Sequence, residues 1–344
     1  MYVFSNYHLI FGKIFVILVF RVIDYMILNN IHVQELYEKY DLNLDLNQDI
    51  NILAGVNGSF KSTLLKVIYE ILTLDNTTYS LSSIKAYFSG DVRINYFRTE
   101  VDVTNSLKDP DFLEKIKSLV NPEQIELSEG KRVKMAIGYF DQYRQDLKID
   151  KDEFLKIARV YYISTFDEKR ESKVNESVLD AKLKELQSDY GYYLSELAKR
   201  ITDHIQIEDS ISKETLDRIN YRKDLFISII NKNFENTGKK LIENESKLLF
   251  SIEGDQISTS SLSSGEKQFL IIMLQTLLSR DEECIIIMDE PEISLHIEWQ
   301  YNLIDYIRML NPKAQLIIST HSPSIFGQGW GDKVKYMNDI VQKI

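Results

Sequence analysis

The stretch that decides the fold reads Gly55-Val56-Asn57-Gly58-Ser59-Phe60-Lys61-Ser62-Thr63. An apolar segment at 52–54 precedes it, and the residues at 63–72 that follow it have a helical pattern. A strand, a glycine-containing turn and a helix in this order offer backbone N–H groups and a helix N-terminus to a phosphate. The stretch therefore predicts a phosphate-binding loop, with nucleotide ligands at Asn57, Gly58, Ser59, Phe60, Lys61, Ser62 and Thr63.

Two side chains of this loop have specific expected roles. Lys61 supplies a positive charge for the β- and γ-phosphates, and the Ser62 hydroxyl ligates Mg²⁺. Phe60 departs from the usual pattern G-x-x-x-x-G-K-[ST], which has glycine at that position. A side chain there restricts the turn and the approach of the backbone to phosphate. Taken alone, the stretch also fits an ordinary strand–turn–helix, so other motifs must decide.

A second stretch opens an apolar helix that extends to Leu278, and it reads Leu262-Ser263-Ser264-Gly265-Glu266-Lys267-Gln268. The Ser263 hydroxyl and the Gly265 N–H stand at a helix N-terminus, where anions bind. The same residues also fit a plain capping box, with Ser263 as the N-cap and Glu266 three residues later. By itself, the capping interpretation is the simpler one.

Two further apolar segments end in residues that suit phosphate chemistry. Residues 284–288 lead into Asp289 and Glu290, and residues 316–320 lead into His321. The carboxyl ends of buried parallel strands meet at one edge of a sheet. Asp289 is expected to hold Mg²⁺ through water, and Glu290 to orient the attacking water as general base. His321 is expected to hydrogen-bond the γ-phosphate and that water.

The order of the four motifs favours nucleotide chemistry over coincidence. Each motif alone fits a structural explanation, such as an acid or a histidine that merely ends a strand. Phosphate loop, helix-opening serine, double acid and histidine nevertheless follow one another along the chain, with room for one helix between Asp289 and His321. This arrangement is typical of an α/β ATPase.

Together the motifs resemble the SMC-like branch of ABC ATPases, and within it the small ATPases grouped with the OLD family and with bacterial phage-defence systems. Ser264 and Glu266 depart from the family signature L-S-G-G-Q, and His296 stands where transporter ATPases usually carry Asp. The resemblance covers roughly 27–75 and 245–328, and three stretches carry it: 262–268, 289–296 and 319–323.

The resemblance implies an α/β fold, an ABC-type P-loop ATPase sheet with an N-terminal antiparallel β part and an inserted helical lobe. Apolar residues recur at steps of three and four from Leu179 to Ile205, which indicates a helix packed against a neighbour. ABC ATPases carry a loop with a functional glutamine, and two positions are candidates for it here: Gln142 and the segment 165–167. The expected divisions are an extension at 1–25, the first ATPase half at 26–100, the helical lobe at 101–245 and the second half at 246–344.

The resemblance also implies a function and partners. ATP and Mg²⁺ are the expected ligands, with hydrolysis slowed by Phe60. Two copies would meet head to tail, so that Ser263 and Gly265 complete the other copy's site. The chain would be a sensor or switch for a separate effector protein, a nuclease or toxin, in phage or mobile-element defence. The alternative is an SMC-like DNA clamp in repair or recombination; His296 and the large insertion disfavour a transporter motor.

Composition sets further expectations. The net charge of -11 disfavours a general nucleic-acid coat, although local DNA binding stays open. The single cysteine, Cys284, is expected to be a buried thiol in a reducing compartment. The apolar run at 9–20 is shorter than the about 20 residues that span a bilayer. We therefore expect residues 1–25 to be dispensable and the protein to be cytoplasmic without a membrane partner. Separately, the effector is expected to be another polypeptide.

Overall fold

The structure is a computed structural model of the chain, and it describes residues 27–75, 78–89, 92–102, 125–127, 132–142, 145–147, 158–164, 177–242 and 247–344. The expected extension at 1–25 and the candidate segment at 165–167 lie outside the described residues. Within the described part no helix is both long enough and apolar enough to cross a membrane.

The strands of the described residues, in chain order, are β1 (Leu28–Leu36), β2 (Tyr40–Asp45), β3 (Ile50–Ala54), β4 (Ser83–Phe88), β5 (Val92–Asp102), β6 (Ile125–Leu127), β7 (Arg132–Gln142), β8 (Gln145–Leu147), β9 (Val160–Ser164), β10 (Lys239–Leu241), β11 (Leu249–Ile252), β12 (Asp255–Ser258), β13 (Cys284–Asp289), β14 (Ala314–Thr320), β15 (Val334–Tyr336) and β16 (Val341–Lys343). The α-helices of the same residues are α1 (Lys61–Leu72), α2 (Val178–Glu208), α3 (Lys213–Phe234), α4 (Ser264–Leu278), α5 (Ile297–Leu310) and α6 (Met337–Ile340).

An antiparallel sheet forms the N-terminal part, as the fold prediction required. Its strand order over the described residues is β16-β2-β1-β4-β5-β7-β6, with β8 paired to β7. Val33 of β1 pairs with Leu42 of β2, and both side chains are buried. Alternate residues of such strands point to one face, which explains how the sheet contributes an apolar face to the core.

A parallel sheet carries the motifs. Its order over the described residues is β15-β3-β14-β13-β9, and every neighbouring pair is parallel. Strands β3, β13 and β14 are buried along their whole length, as expected for a parallel sheet that is covered on both faces. Thr320 pairs with Ala54 and Ser319 with Asp289, so these strands end at a common edge. The α/β fold class is confirmed.

Helices cover the two faces of this sheet differently. Ile285 and Ile287 of β13 belong to the apolar cluster that contains α1. Ile286 and Met288 belong to the cluster that contains α2, α3, α4 and α5. Because successive strand residues point to opposite faces, α1 lies on one face of the sheet and α4 on the other.

The segment at 101–245 differs from the expected helical lobe. Its described part holds strands β6, β7 and β8 of the antiparallel sheet before the helices α2 and α3 begin. The sequence of β7 alternates, with Val133, Met135 and Ile137 at every second position, and this two-residue period is typical of a strand. The many charged residues of 101–245 as a whole had favoured the interpretation as a helical lobe.

The helices of this segment form as expected. Ser177 and Ser212 are the N-caps of α2 and α3, and each hydroxyl accepts a hydrogen bond from a backbone N–H of the first turn. The apolar stripe of α2 packs into the core through Leu183, Leu186 and Tyr190. Helix packing is therefore the role of the stripe over most of its length.

Residues after 330 also take part in the fold, although the sequence predicted no strand there. Strand β15 pairs with β3 in the parallel sheet, and β16 pairs with β2 in the antiparallel sheet. Met337 between them is buried. The C-terminal segment therefore contacts both sheets close to the phosphate loop.

Candidate functional site

Asp289 and Ser62 meet at the carboxyl edge of the parallel sheet. The Ser62 hydroxyl donates to Asp289 Oδ1 at 2.9 Å, and the Ser319 hydroxyl donates to the same oxygen. The Asp289 side chain is almost fully buried. The structure thus brings together the two residues that the sequence assigned to a metal, and it adds Ser319 as a neighbour that orients the carboxylate.

Lys61 lies at the centre of the site. Its ammonium donates to the carbonyl oxygens of Gly55 at 2.9 Å and Val56 at 3.2 Å, and lies 2.7 Å from His321 Nε2. Burial lowers the pKa of Lys61, while the neighbouring carboxylates of Glu290 and Asp289 oppose that shift. A charge held in this way at the start of a helix suits a phosphate group.

Glu290 and His321 face each other beside Lys61. Glu290 Oε1 lies 3.3 Å from His321 Nε2. Burial raises the pKa of Glu290, and the charge of His321 opposes this rise. Glu290 also has a left-handed backbone, with φ of 48°, directly after strand β13. An acid whose pKa is raised towards neutrality, beside a histidine, suits general-base chemistry.

Phe60 keeps the backbone conformation that glycine usually supplies. Its φ is 69°, in the left-handed region, and Gly58 has φ of 77°. Holding a residue with a Cβ there costs about 1–2 kcal/mol. The Phe60 ring packs on Tyr40 and Tyr37, at centroid distances of 4.8 and 6.1 Å. Aromatic packing therefore offsets the strain, and the turn itself is retained despite the substitution.

The remaining residues of the loop surround this turn. Asn57 and Gly58 are exposed, whereas Thr63 is partly buried in the first turn of α1. The Ser59 hydroxyl is buried, and it neither donates nor accepts a hydrogen bond within the described part of the chain. The exposed backbone at 57 and 58 is the part of the loop most accessible to a phosphate.

Ser263 and Gly265 lie at the same edge of the sheet but on its opposite face. Ser263 caps α4, and a capping box links it reciprocally with Glu266. A Cβ on Gly265 would stand 2.2 Å from the carbonyl oxygen of Ser294, which follows β13. Gly265 is thus required by this close approach, and both the capping and the packing explanations hold. Since α1 and α4 cover different faces, the structure does not bring Ser263 to Lys61.

Lys239 is a site residue that sequence reasoning missed. Its ammonium donates to both oxygens of the buried Glu266 carboxylate, at 2.8 and 2.9 Å, and the Thr237 hydroxyl donates at 2.8 Å. Burial opposes ionisation of Glu266, but these bonds and the Ser263 N–H outweigh it and hold the pKa of Glu266 below its ordinary value. The signal was Glu266 itself, because an acid in place of the signature glutamine requires a cation.

Glu292 organises the histidine loop. Its Oε1 accepts from the Thr320 hydroxyl at 2.7 Å, from the His321 N–H at 2.8 Å and from the Ser322 N–H at 3.3 Å. The sequence marked Glu292 as part of a motif without a role. Its position two residues after Glu290 and its contacts with the other strand end make it a positioning residue.

The donor set fits Mg²⁺. A hydroxyl and a carboxylate, Ser62 and Asp289, lie within hydrogen-bond distance at the phosphate loop. Mg²⁺ prefers oxygen ligands and is commonly bound by one or two carboxylates together with substrate phosphates. Among the described residues there is no cluster of three or more His, Cys, Asp or Glu side chains suited to a metal.

The two candidates for the glutamine region have different surroundings. Gln142 ends β7 in the antiparallel sheet. Ser164, the last residue before the segment at 165–167, pairs with Asp289 at the edge of the parallel sheet. The backbone therefore favours the region that follows Ser164.

Cys284 has the expected structural role. It is buried at the start of β13, and burial raises the pKa of its thiol to about 11. A thiol with this pKa stays protonated at neutral pH and is a poor nucleophile.

Comparison with known proteins decides the family. Residues 26–326 match the AAA ATPase domain family. The chain belongs to that family. This membership confirms the ATPase identity that the four motifs predicted. The roles of the individual motif residues stay predictions.

Two curated relatives are similar over shorter stretches. The Retron Vc95 probable ATPase of Vibrio cholerae serotype O1 biovar El Tor is 28% identical over 98 residues, 25% of this chain and 19% of the relative. Septu protein PtuA of Bacillus thuringiensis is 46% identical over 44 residues, 13% of this chain and 11% of the relative. The matched stretches thus span less than a fifth of either relative.

Solved structures with a similar chain path include two SMC heads. The SMC head bound to the C-terminal winged-helix domain of ScpA is 12% identical, with 92% of this chain and 97% of that chain covered and a TM-score of 0.49. The SMC head domain from Thermotoga maritima is 10% identical, with 88% and 91% covered and a TM-score of 0.40.

Proposed function

We propose that the chain binds and hydrolyses ATP and that a second copy, related by a two-fold axis, completes each site. The observation that carries this proposal is the placement of two anion-binding elements at one edge of the parallel sheet. Lys61 begins the helix on one face, and Ser263 begins the helix on the other. Head-to-tail contact of two copies would set Ser263 and Gly265 of each opposite Lys61 of its mate.

The residues around the loop have separable roles in this reaction. Lys61 holds the β- and γ-phosphates, and Ser62 with Asp289 would hold Mg²⁺, which neutralises charge on the phosphates when bound. Glu290 orients the attacking water and accepts its proton, a role that its raised pKa favours. His321 lies within reach of Lys61 and Glu290 and so is placed to hydrogen-bond the γ-phosphate.

Phe60 makes this ATPase slow in our proposal. The loop retains the left-handed turn, but its aromatic ring is anchored on Tyr37 and Tyr40. A loop anchored outside the site adjusts less readily to the triphosphate. Tighter binding is therefore expected when glycine replaces Phe60.

The output of the ATPase is proposed to be a switch that controls a separate effector, a nuclease or toxin, in phage or mobile-element defence. The names of the matched relatives, one from a retron and one from Septu, support this context. A switch needs a partner whose affinity differs between nucleotide states. The pair α2–α3 offers such a surface, since Tyr192, Ile207 and Tyr221 are well exposed there.

Light scattering tests the dimer. Glu290→Gln keeps the size of the side chain but removes the base. The ATP-bound dimer, which wild type forms only transiently, should therefore accumulate in this variant. The control is the double variant Lys61→Ala/Glu290→Gln, which should stay monomeric. An ATP-bound Glu290→Gln protein that remains a monomer would contradict the proposal.

Expression experiments test the output. The chain alone should cleave neither DNA nor RNA with any divalent metal, and toxicity in cells should require a second gene. Metal-dependent nuclease activity that is lost when an acid of the chain is replaced would contradict the separate effector. Steeply salt-dependent DNA binding that needs the ATP-bound dimer would instead favour the clamp.

A further inference from the structure

A second concave site lies at the opposite edge of the parallel sheet from the nucleotide residues. It occupies about 710 Å³ between α2, α3 and the turns that lead into β13 and β14. That volume is typical of a small-molecule site. Its wall combines arginine, tyrosine and aliphatic side chains with three acids. We call it the arginine cleft.

Positive charge dominates the arginine cleft. Five arginines and three acids line it, in a chain whose net charge is -11. All three acids already have cationic partners: Glu196 pairs with Arg280, Asp281 with Lys313, and Glu282 with Arg159. The acids are therefore neutralised, and an excess of guanidinium groups remains.

Two of the arginines are uncommitted. Arg200 and Arg218 are exposed and make no ion pair with a described residue. Arg222, in contrast, donates to the carbonyl oxygens of Leu310 at 2.8 Å and Leu277 at 3.1 Å, so it is fixed at the ends of two helices. Arg308 is fixed as well, because it donates to the carbonyl oxygen of Ala314 at 3.2 Å. The cleft thus has two fixed cations in its wall and two free ones at its rim.

We propose that the arginine cleft binds a nucleoside phosphate, either a free nucleotide or a segment of single-stranded nucleic acid. The planar guanidinium fork of arginine matches two phosphate oxygens at once. Tyr221 lines the cleft and is 62% exposed, so one aromatic face is available for a base. Cationic grooves with aromatic faces are the usual receptors of single strands. The exposed face of Tyr221 favours this ligand over an acidic peptide, which presents carboxylates without bases.

The binding experiment uses a fluorescent ten-base oligodeoxythymidylate, with AMP and polyglutamate as competitors. Arg200→Gln/Arg218→Gln removes the two free cations, and both positions are exposed, so the fold should persist. Lys199→Gln/Lys213→Gln is the matched control, because it removes two exposed cations that do not line the cleft. Fluorescence anisotropy at several salt concentrations gives the affinity and its salt dependence, and unfolding curves check the variants.

Wild type and control should bind the oligonucleotide, and the arginine variant should bind at least about tenfold more weakly, with the slope of log K against log salt smaller by about 1.4. Displacement by AMP would identify a free nucleotide as the ligand, and resistance to AMP would identify the strand. Equal weakening in the control, unchanged binding in the arginine variant, binding of polyglutamate alone, or no binding at all would overturn the proposal. These outcomes do not depend on the ATP-induced dimer, which is measured separately.

Discussion

At the residue scale, Glu290 links the chemistry of the site to the stability of the fold. Burial raises its pKa, so the folded chain holds the Glu290 proton more tightly than the unfolded chain does. Stability must then fall as pH rises from the unfolded value, about 4.3, through the raised folded pKa. Because Glu290→Gln cannot ionise, this variant should be as stable as wild type at pH 4 and more stable at pH 8. Urea unfolding at both pH values measures it, and a variant less stable at pH 8 would contradict the raised pKa.

Lys239 and Glu266 provide a second test at this scale. Lys239→Met leaves the Glu266 carboxylate buried without its cation, which should cost about 3 kcal/mol of unfolding free energy. Lys239→Met/Glu266→Gln removes both charges and restores the usual signature residue, so most of the loss should be recovered. Urea titration of wild type, Lys239→Met, Glu266→Gln and the double variant gives the coupling energy of the pair. Additive effects of the two substitutions would show that the pair does not interact.

These residues also show what the sequence could predict of the site. Lys61, Ser62, Asp289 and Glu290 follow local motifs, so their types and order sufficed to place them near one another. Lys239 was missed because its contact with Glu266 depends on how β10 packs beside the first turn of α4, and no local pattern encodes that packing.

At the element scale, the phosphate loop contains a strained residue, Phe60, whose backbone is left-handed. Phe60→Gly removes the cost of a left-handed residue but also loses the ring contacts with Tyr37 and Tyr40, so the free energy of unfolding should change little. ATP should bind more tightly to this variant. Phe60→Ala is the control, because it loses the ring but keeps the Cβ and should be about 1 kcal/mol less stable than Phe60→Gly. Calorimetric titration with ATP and thermal melts test both; weaker binding by Phe60→Gly would contradict the account.

Element prediction succeeded where one period dominated the sequence. The apolar strands β3, β13 and β14 and the stripe of α2 agree with the structure because burial on one or both faces imposes a regular pattern. It failed at β7, whose two-residue period lies within a highly charged segment that was interpreted as helical. It also missed β15 and β16, which are too short to show a period. Strands of this length are specified by pairing with distant partners rather than by their own sequence.

At the scale of the whole molecule, the parallel sheet separates the two anion-binding elements onto its opposite faces. Helix α1 and helix α4 lie on opposite faces of that sheet, which is why we propose that Lys61 and Ser263 of one copy do not hold the same phosphate. Two copies related by a two-fold axis would form two composite sites, each with Lys61 from one copy and Ser263 from the other. A variant that lacks Lys61 and a variant with a blocked Ser263 should therefore complement each other.

The most direct test mixes Lys61→Ala with Ser263→Arg and measures ATP hydrolysis. Each variant alone should be inactive, because every site in its homodimer lacks one half. In an equal mixture about half of the dimers contain both variants, and one of their two sites is intact, so about one quarter of the wild-type rate should return if the sites act independently. The composite site would be contradicted if Ser263→Arg alone hydrolysed ATP at the wild-type rate and the mixture gave only the sum of the two separate rates.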